Sequence, residues 1–308
     1  MNIIFFGNTE FGIPTLDKLK INGINILLTV TNEDIRKNRN KIIETPIKKW
    51  SEQNNINFIQ QNNINKLEFI ETLKSLNADL FIVIAYKILP KEIFSLPKHG
   101  TMNLHGSLLP SYRGAAPIQR AILNGDTKTG VSTFMIDRKV DTGHIIDQEE
   151  ININGNNYGE LHDRLSFIGS DLIIRSINHI LNKKPLSIQN SPHTYAPKIN
   201  KKETEIVWNQ NPIIIINLIR AFSPLPGAYT YFKDKRIRIF SAVLVNSKQP
   251  KLDPGIISVE NKEIFVGTAT KSIKIKELQV EGKQCMDDKS FINGYMQIKG
   301  NEYKFEGR

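Results

Sequence analysis

An amide, an imidazole and a carboxylate, Asn103, His105 and Asp141, fall within one stretch, TMNLHGSLLPSYRGAAPIQRAILNGDTKTGVSTFMIDRKVDTG, which runs from Thr101 to Gly143. A side-chain amide suits an oxyanion, an imidazole suits proton transfer, and a carboxylate suits orienting or charging that imidazole. Taken singly, each has a plainer reading. His105 could be structural, Asn103 a turn cap, Asp141 an Asx-turn residue beside Thr142-Gly143, and Arg113 a solvated charge. Their joint occurrence around one proline- and glycine-rich loop favours a reaction site. The single cysteine, Cys285, is far away in sequence and no serine elbow is present. Direct transfer between two bound substrates is therefore expected rather than a covalent acyl-enzyme.

Such residues need a strand to aim them. Thr101–His105 reads as a short strand, on which Thr101, Asn103 and His105 share one face while Met102 and Leu104 share the other. The apolar pair would anchor in a core. Upstream, Asn2–Phe6 is a compact apolar strand followed by a Gly7-Asn8 turn and a helix from Thr9 or Glu10 to Lys20; Asn25–Val30 is the next strand. Helices near Thr45–Gln53 and Lys66–Leu76 and a buried strand at Leu80–Ala85 continue the alternation, which predicts an α/β layer with a mostly parallel sheet. Gly7 and Gly12 lack the close-set glycine pair of a dinucleotide fingerprint, so no nicotinamide cofactor is expected. Ligands of open α/β sheets sit beyond the carboxyl ends of the strands. Ser107, Leu108, Leu109 and Pro110 follow His105 there and can offer backbone groups and apolar contact to a flat heterocycle.

Gly130–Ile136 and Gly143–Ile153 look like strands joined by a charged loop carrying Asp141, and Asn157–Leu181 has helical periodicity. The expected catalytic domain spans 1–189. Residues 190–206 read as a linker. Residues 207–308 hold a helix at Pro212–Phe222 and short β pieces at Ala228–Phe232, Arg236–Val245, Gly255–Val259, Glu263–Thr268, Ser272–Val280 and Tyr295–Ile298. That pattern favours a small barrel or sandwich.

The 308 residues carry a formal charge of +10, with 41 Lys and Arg against 31 Asp and Glu. Residues 201–308 hold 18 basic and 12 acidic residues, a net +6 in about a third of the chain. This points to an anionic partner, against the plainer reading of solvated lysines. Apolar runs such as Leu80–Ala85 fall far short of a membrane span, and Met1–Phe6 leads straight into a glycine turn without the build of a signal peptide. One cysteine excludes an internal disulfide and a thiolate-rich zinc site. A cytoplasmic protein is expected.

At these residues the chain resembles the folate-dependent formyltransferases. Asn103-Leu-His105-Gly-Ser107-Leu-Leu-Pro110-Ser-Tyr112-Arg113-Gly114, Ala115-Ala-Pro-Ile-Gln119 and Asp141-Thr-Gly143 match the family's site pattern. Thr194-Tyr-Ala-Pro-Lys-Ile199, Arg220-Ala-Phe-Ser-Pro224, Pro226-Gly-Ala-Tyr229 and Leu278-Gln-Val-Glu-Gly-Lys283 are similar to segments of the members that act on charged initiator tRNA. The resemblance implies a Rossmann-like domain followed by an OB-like barrel, with 10-formyltetrahydrofolate as cosubstrate and no metal. It implies the α-amine of methionine on initiator tRNA as acceptor, with Asn103, His105 and Asp141 catalytic and Ser107–Pro110 lining the folate site. Asn103 and His105 would meet the negative charge on the formyl oxygen; Asp141 would set the charge state of His105. Two basic groups would hold tRNA: Arg36, Lys37, Arg39 and Lys41 in the first domain, and Lys233, Lys235, Arg236 and Arg238 in the barrel. A monomer is expected. The basic loop after Val30 lacks the family's Pro and Gly, and Lys139-Val140 stands where Gly-Leu is usual. A formyltransferase acting on an amino-sugar nucleotide is the alternative, keeping the same three residues but needing no basic barrel.

Overall fold

The apolar run Ile3-Ile4-Phe5-Phe6 has no exposed residue and becomes the middle of a sheet. The computed structural model describes residues 1–37, 41–190, 192–245, 252–296 and 303–307. The chain divides into two compact units, the first made of Met1–Pro117, Lys128–Asn152 and His162–Ala196. Its strands are β1 (Asn2–Gly7), β2 (Asn25–Thr31), β3 (Ile35–Lys37), β4 (Lys41–Ile43), β5 (Phe58–Gln60), β6 (Leu80–Ile84), β7 (Thr101–His105), β8 (Lys128–Met135) and β9 (Ile145–Asn152). Between them run α1 (Ile13–Ile21), α2 (Pro46–Asn54), α3 (Leu67–Ser75), α4 (Lys91–Phe94) and α5 (Pro117–Leu123), and α6 (Tyr158–Leu181) follows β9.

Seven strands form one sheet in the order β5-β2-β1-β6-β7-β8-β9. The first five in that order are parallel, β8 is antiparallel to β7, and β9 is antiparallel to β8. Strands covered on both faces read as unbroken apolar runs, and β6, Leu-Phe-Ile-Val-Ile, is buried throughout. β7 is fixed on both edges: Asn103 stands opposite Val83 of β6 and Phe134 of β8, and His105 opposite Ser132. Its apolar face carries Met102 and Leu104, both buried. Gly169 of α6 packs on Leu104 so closely that a Cβ there would lie 2.6 Å from Leu104 Cδ2.

The basic loop after β2 is a hairpin, with Ile35 opposite Ile43 and Lys37 opposite Lys41. Its two ends meet one ammonium. Lys48 of α2 lies 2.7 Å from Asp34 and 2.9 Å from Glu44, the residues flanking the hairpin strands. The hydrogen bond from Lys48 holds the Asp34 carboxyl below its usual range, and the same bond raises Lys48.

The second unit comprises Ile118–Thr127, Ile153–Leu161 and Pro197–Arg308. It contains α7 (Pro212–Phe222), started by Pro212 with the Asn211 side chain accepting the Ile213 N–H. After α7 come β10 (Ala228–Phe232), β11 (Lys235–Leu244), β12 (Ile256–Glu260), β13 (Glu263–Gly267), β14 (Ser272–Val280), β15 (Cys285–Asp287), α8 (Asp288–Tyr295) and β16 (Tyr303–Lys304). The antiparallel order is β10-β11-β14-β13-β12-β16. Tyr231 of β10 exchanges backbone hydrogen bonds with Glu306, just beyond β16, which joins the two edges into a barrel.

Two readings of the sequence differ from this architecture. A strand was expected at Tyr295–Ile298, yet Tyr295 ends α8 and Ile298 lies outside the described residues. Asp287 caps that helix through the Ser290 N–H at 2.9 Å, and Phe291 points wholly into the core. Contacts also divide the chain differently from a cut between 189 and 207, because Ile118–Thr127 and Ile153–Leu161 belong to the second unit, where Leu123 packs on the barrel core. Among the described residues no helix is long and apolar enough to cross a membrane.

Lys48→Met should loosen the hairpin. Two partly exposed ion pairs lost together, at roughly 0.5 kcal/mol each, correspond to about fivefold faster tryptic cleavage after Arg36 or Lys37 at neutral pH. In the unaltered protein the clamp should persist above the ordinary carboxylate range and fail only as pH falls through the depressed Asp34 value. Unchanged cleavage kinetics in the variant would show that Lys48 does not hold the hairpin.

Candidate active site

β7 ends where the backbone turns, and that turn fixes the imidazole. His105 Nε2 lies 2.8 Å from the Tyr112 carbonyl oxygen. A carbonyl only accepts, so this nitrogen carries the hydrogen. The other nitrogen, Nδ1, faces Asp141 Oδ2 at 3.8 Å, with the side chains 8% and 13% exposed. That separation allows charge–charge attraction but exceeds a hydrogen bond. Asn103, on the same face of β7, is half-buried, and its side-chain amide makes no hydrogen bond to any described residue. The structure thus brings the three residues singled out in the sequence into one place and leaves an amide and an imidazole nitrogen unspent.

Asp141 is held by more than its neighbours in sequence. Its Oδ2 accepts the Gly114 N–H at 2.8 Å. Its backbone is left-handed, φ 55°, a conformation that aspartate tolerates better than most residues. Within the turn, Asp137 Oδ1 accepts from the Lys139 N–H and the Thr142 hydroxyl, so Lys139-Val140 is accommodated without glycine. Gly143 cannot be replaced so readily: a Cβ there would stand 1.6 Å from the Met135 carbonyl oxygen.

Arg113 is not a solvated charge. It is 8% exposed, and its Nη2 and Nε donate to Gln189 Oε1 at 2.7 and 3.2 Å. Gln189 Nε2 in turn donates to the carbonyls of Asp141 and Gly143 at 3.1 and 2.7 Å. Nothing in the local pattern marks Gln189, which precedes a polar, aperiodic segment. Its partners are more than 40 residues away.

The loop after His105 is knitted to β8 and β9. Ser132 Oγ donates to the Ser107 carbonyl at 2.6 Å and accepts the Leu109 N–H at 3.0 Å; Gln148 Nε2 donates to the Leu109 carbonyl at 2.9 Å. The Ser107 hydroxyl is buried and donates to the Ser111 carbonyl. Of the four residues expected to line a folate, Leu108 and Pro110 keep exposed surface, while Ser107 and Leu109 turn inward. Ser132 and Gln148 escaped sequence reasoning because their function is to support that loop from register-paired positions on β8 and β9.

The two basic groups differ. In the hairpin, Arg36, Lys37 and Lys41 occupy strand positions whose side chains are not described, and Arg39 lies outside the described residues. In the barrel, Arg236 and Arg238 alternate with buried Ile237 and Ile239 and so share the outer face. Arg236 lies 4.0 Å over the Tyr229 ring, and Arg238 Nη1 is 3.4 Å from Gln279 Oε1. Lys233 and Lys235 do not join them: their ammonium groups lie over Tyr303 at 4.8 Å and Tyr295 at 5.8 Å.

Residues 1–177 match the Formyl transferase family, and residues 198–296 match the Formyl transferase, C-terminal domain. The chain belongs to the formyl transferase family. It is 44% identical to a methionyl-tRNA formyltransferase of Thermodesulfovibrio yellowstonii, with 95% of each chain covered. It is 38% identical to one of Halothermothrix orenii, covering 98% of this chain and 99% of that one. Among solved structures it resembles WlaRD, a sugar 3N-formyl transferase crystallised in the presence of dTDP and 5-N-formyl-THF. The TM-score is 0.65 at 21% identity, over 92% of this chain and 99% of that one, a likeness of fold alone.

Gly143→Ala should force the Asp141 turn away from Met135. Overpacking of a backbone contact typically costs about 1–3 kcal/mol, readable as a lowered urea midpoint at unchanged slope. A midpoint equal to that of the unaltered protein would mean the turn relaxes without strain.

Proposed function

We propose that the chain transfers the formyl group of 10-formyltetrahydrofolate to the α-amino group of methionyl initiator tRNA, as a cytoplasmic monomer. The catalytic work falls to residues 1–189, and residues 207–308 help hold the tRNA. The unspent Asn103 amide beside an imidazole whose free nitrogen faces Asp141 carries this reading. A half-exposed apolar lip at Leu108 and Pro110 next to these polar groups fits a flat heterocycle. Bound 10-formyltetrahydrofolate supplies the formyl carbon.

The residues answer specific demands. A free α-amino group has a pKa of about 8, and the adjacent ester lowers it, so the acceptor needs little activation near neutral pH. The harder demand is the negative charge that develops on the formyl oxygen. Asn103 Nδ2 donates to that oxygen. His105 uses Nε2 for Tyr112, so Nδ1 is the nitrogen left for substrate. As the amine adds, its surplus proton passes to Nδ1 with Asp141 as counter-charge, and the same pair returns a proton to the folate nitrogen as its bond to the formyl carbon breaks. The outer barrel face of Arg236 and Arg238, with half-buried Tyr231 on the paired strand, suits phosphate contacts. The amino-sugar alternative rests on relatives at 21% identity, which carry the fold alone.

Asn103→Ala and His105→Ala should each slow the chemical step by about two to three orders of magnitude, the usual loss for an oxyanion donor. Asp141→Asn should also be strongly impaired. Single-turnover formylation of charged initiator tRNA with saturating cosubstrate measures this; near-normal rates would remove the residue from the mechanism.

Arg238→Glu should weaken tRNA binding and reduce the slope of log K against log salt by roughly one or two contacts, while cosubstrate binding stays unchanged. An identical slope would remove Arg238 from the tRNA surface.

A further inference from the structure

Gln189 makes four hydrogen bonds inside the site, two to the loop that carries Asp141 and two to Arg113. The carboxamide has two N–H donors and two acceptor lone pairs. Its NH2 reaches the carbonyls of Asp141 and Gly143, and its Oε1 takes both the Nε and Nη2 of Arg113. Gln189 is itself placed by the ladder two residues earlier, where Ser187 and Ile145 exchange backbone hydrogen bonds. Arg113 is likewise held, with its N–H on the Thr194 carbonyl and its carbonyl taking the Ala196 N–H. The amide therefore spans three fixed points.

Asp141 needs such a tie. A non-glycine residue in the left-handed region costs of order 1 kcal/mol or more and persists where surrounding structure over-determines it. Here the carbonyls at Asp141 and Gly143 are pinned by one side chain, while the Asp141 carboxylate is pinned by Gly114, the residue after Arg113. Hydrogen bonds from a guanidinium are stronger than neutral ones, and they polarise the amide so that its own donors bind harder. We infer that Gln189 is a positioning residue: polarised by Arg113, it holds the Asp141 turn so that the carboxylate stays between His105 Nδ1 and the Gly114 N–H. The inference rests on the proposed role of Asp141 in formyl transfer.

Two measurements test it. In single turnover, Gln189→Ala should lower the chemical step about 10- to 100-fold and leave both substrate KM values within about twofold. In an Asp141→Ala background the same change should cost less than about threefold, because Gln189 acts through Asp141. Equal losses in the two backgrounds would overturn the inference. Gln189→Glu keeps the volume and the contact to Arg113 but turns an acceptor toward two carbonyls; it should be impaired at least as much, and full activity in it would equally overturn the inference. Independently of activity, amide exchange at Gly114 should be at least about tenfold faster in Gln189→Ala, while β7 amides are unchanged. Unaltered Gly114 protection would mean that Asp141 is held without Gln189. If the unaltered protein failed to formylate charged initiator tRNA, the functional reading would fall, and the Gly114 exchange would still decide whether Gln189 positions the turn.

Discussion

A strand shows each face only every second side chain, and at β7 that rule is enforced from three directions. β6 pairs along one edge and β8 along the other, while Gly169 of α6 presses on Leu104 from the apolar side. A slip of one residue would push Asn103 and His105 into the core and lift Met102 and Leu104 out. Burial of two apolar side chains is worth roughly 1.5–3 kcal/mol each, so the register is strongly specified. The rest of the site inherits it. Ser132 stands opposite His105 because of the β7–β8 register, and its hydroxyl then organises Ser107 and Leu109.

The antiparallel turn at β8 has a further consequence. A purely parallel sheet would place each next loop at the same end only after a crossover helix. Here β8 runs back along β7, so that its last residue, Met135, stands opposite Met102, and the connection from β8 to β9 folds back to bring Asp141 within 3.8 Å of His105. That connection carries Asp141, so two loops distant in sequence face each other across His105.

Much of this was legible in the residues. The alternation at Thr101–His105, the βα order before it and the barrel-like series after Pro212 all rest on local pattern, and the structure has them. The joint reading of Asn103, His105 and Asp141 also places them correctly together. What local pattern misses is whatever depends on a distant partner. Asp287 caps α8 where a strand was expected nearby, a signal present but overshadowed by the β-rich run before it. A solvated charge stood as the plainer reading of Arg113, and the acceptor that excludes it, Gln189, is 76 residues away. The barrel lysines looked equivalent to the arginines, yet pleat alternation and the aromatic rings of Tyr295 and Tyr303 separate them.

The placement of charge completes the picture. A buried guanidinium is usually matched by a carboxylate, and had Arg113 met Asp141 directly, that acid would have been spent in a bidentate pair. The fold inserts a neutral amide between them. Arg113 still finds its acceptor and Asp141 still gains a tethered backbone, but among the described residues the only side chain within ion-pair distance of the Asp141 carboxylate is His105. A proton arriving at Nδ1 therefore meets an uncommitted acid, while Nε2 is locked to Tyr112 and cannot exchange roles. The same economy holds Asn103 open. Nearly all buried polar groups in a native interior are paired, and around β7 the serines, glutamines and arginine satisfy one another. The polar atoms left over, the Asn103 amide and His105 Nδ1, are those that a carbonyl carbon under attack requires: a donor for its oxygen and a group that can take or give one proton beside a fixed negative charge.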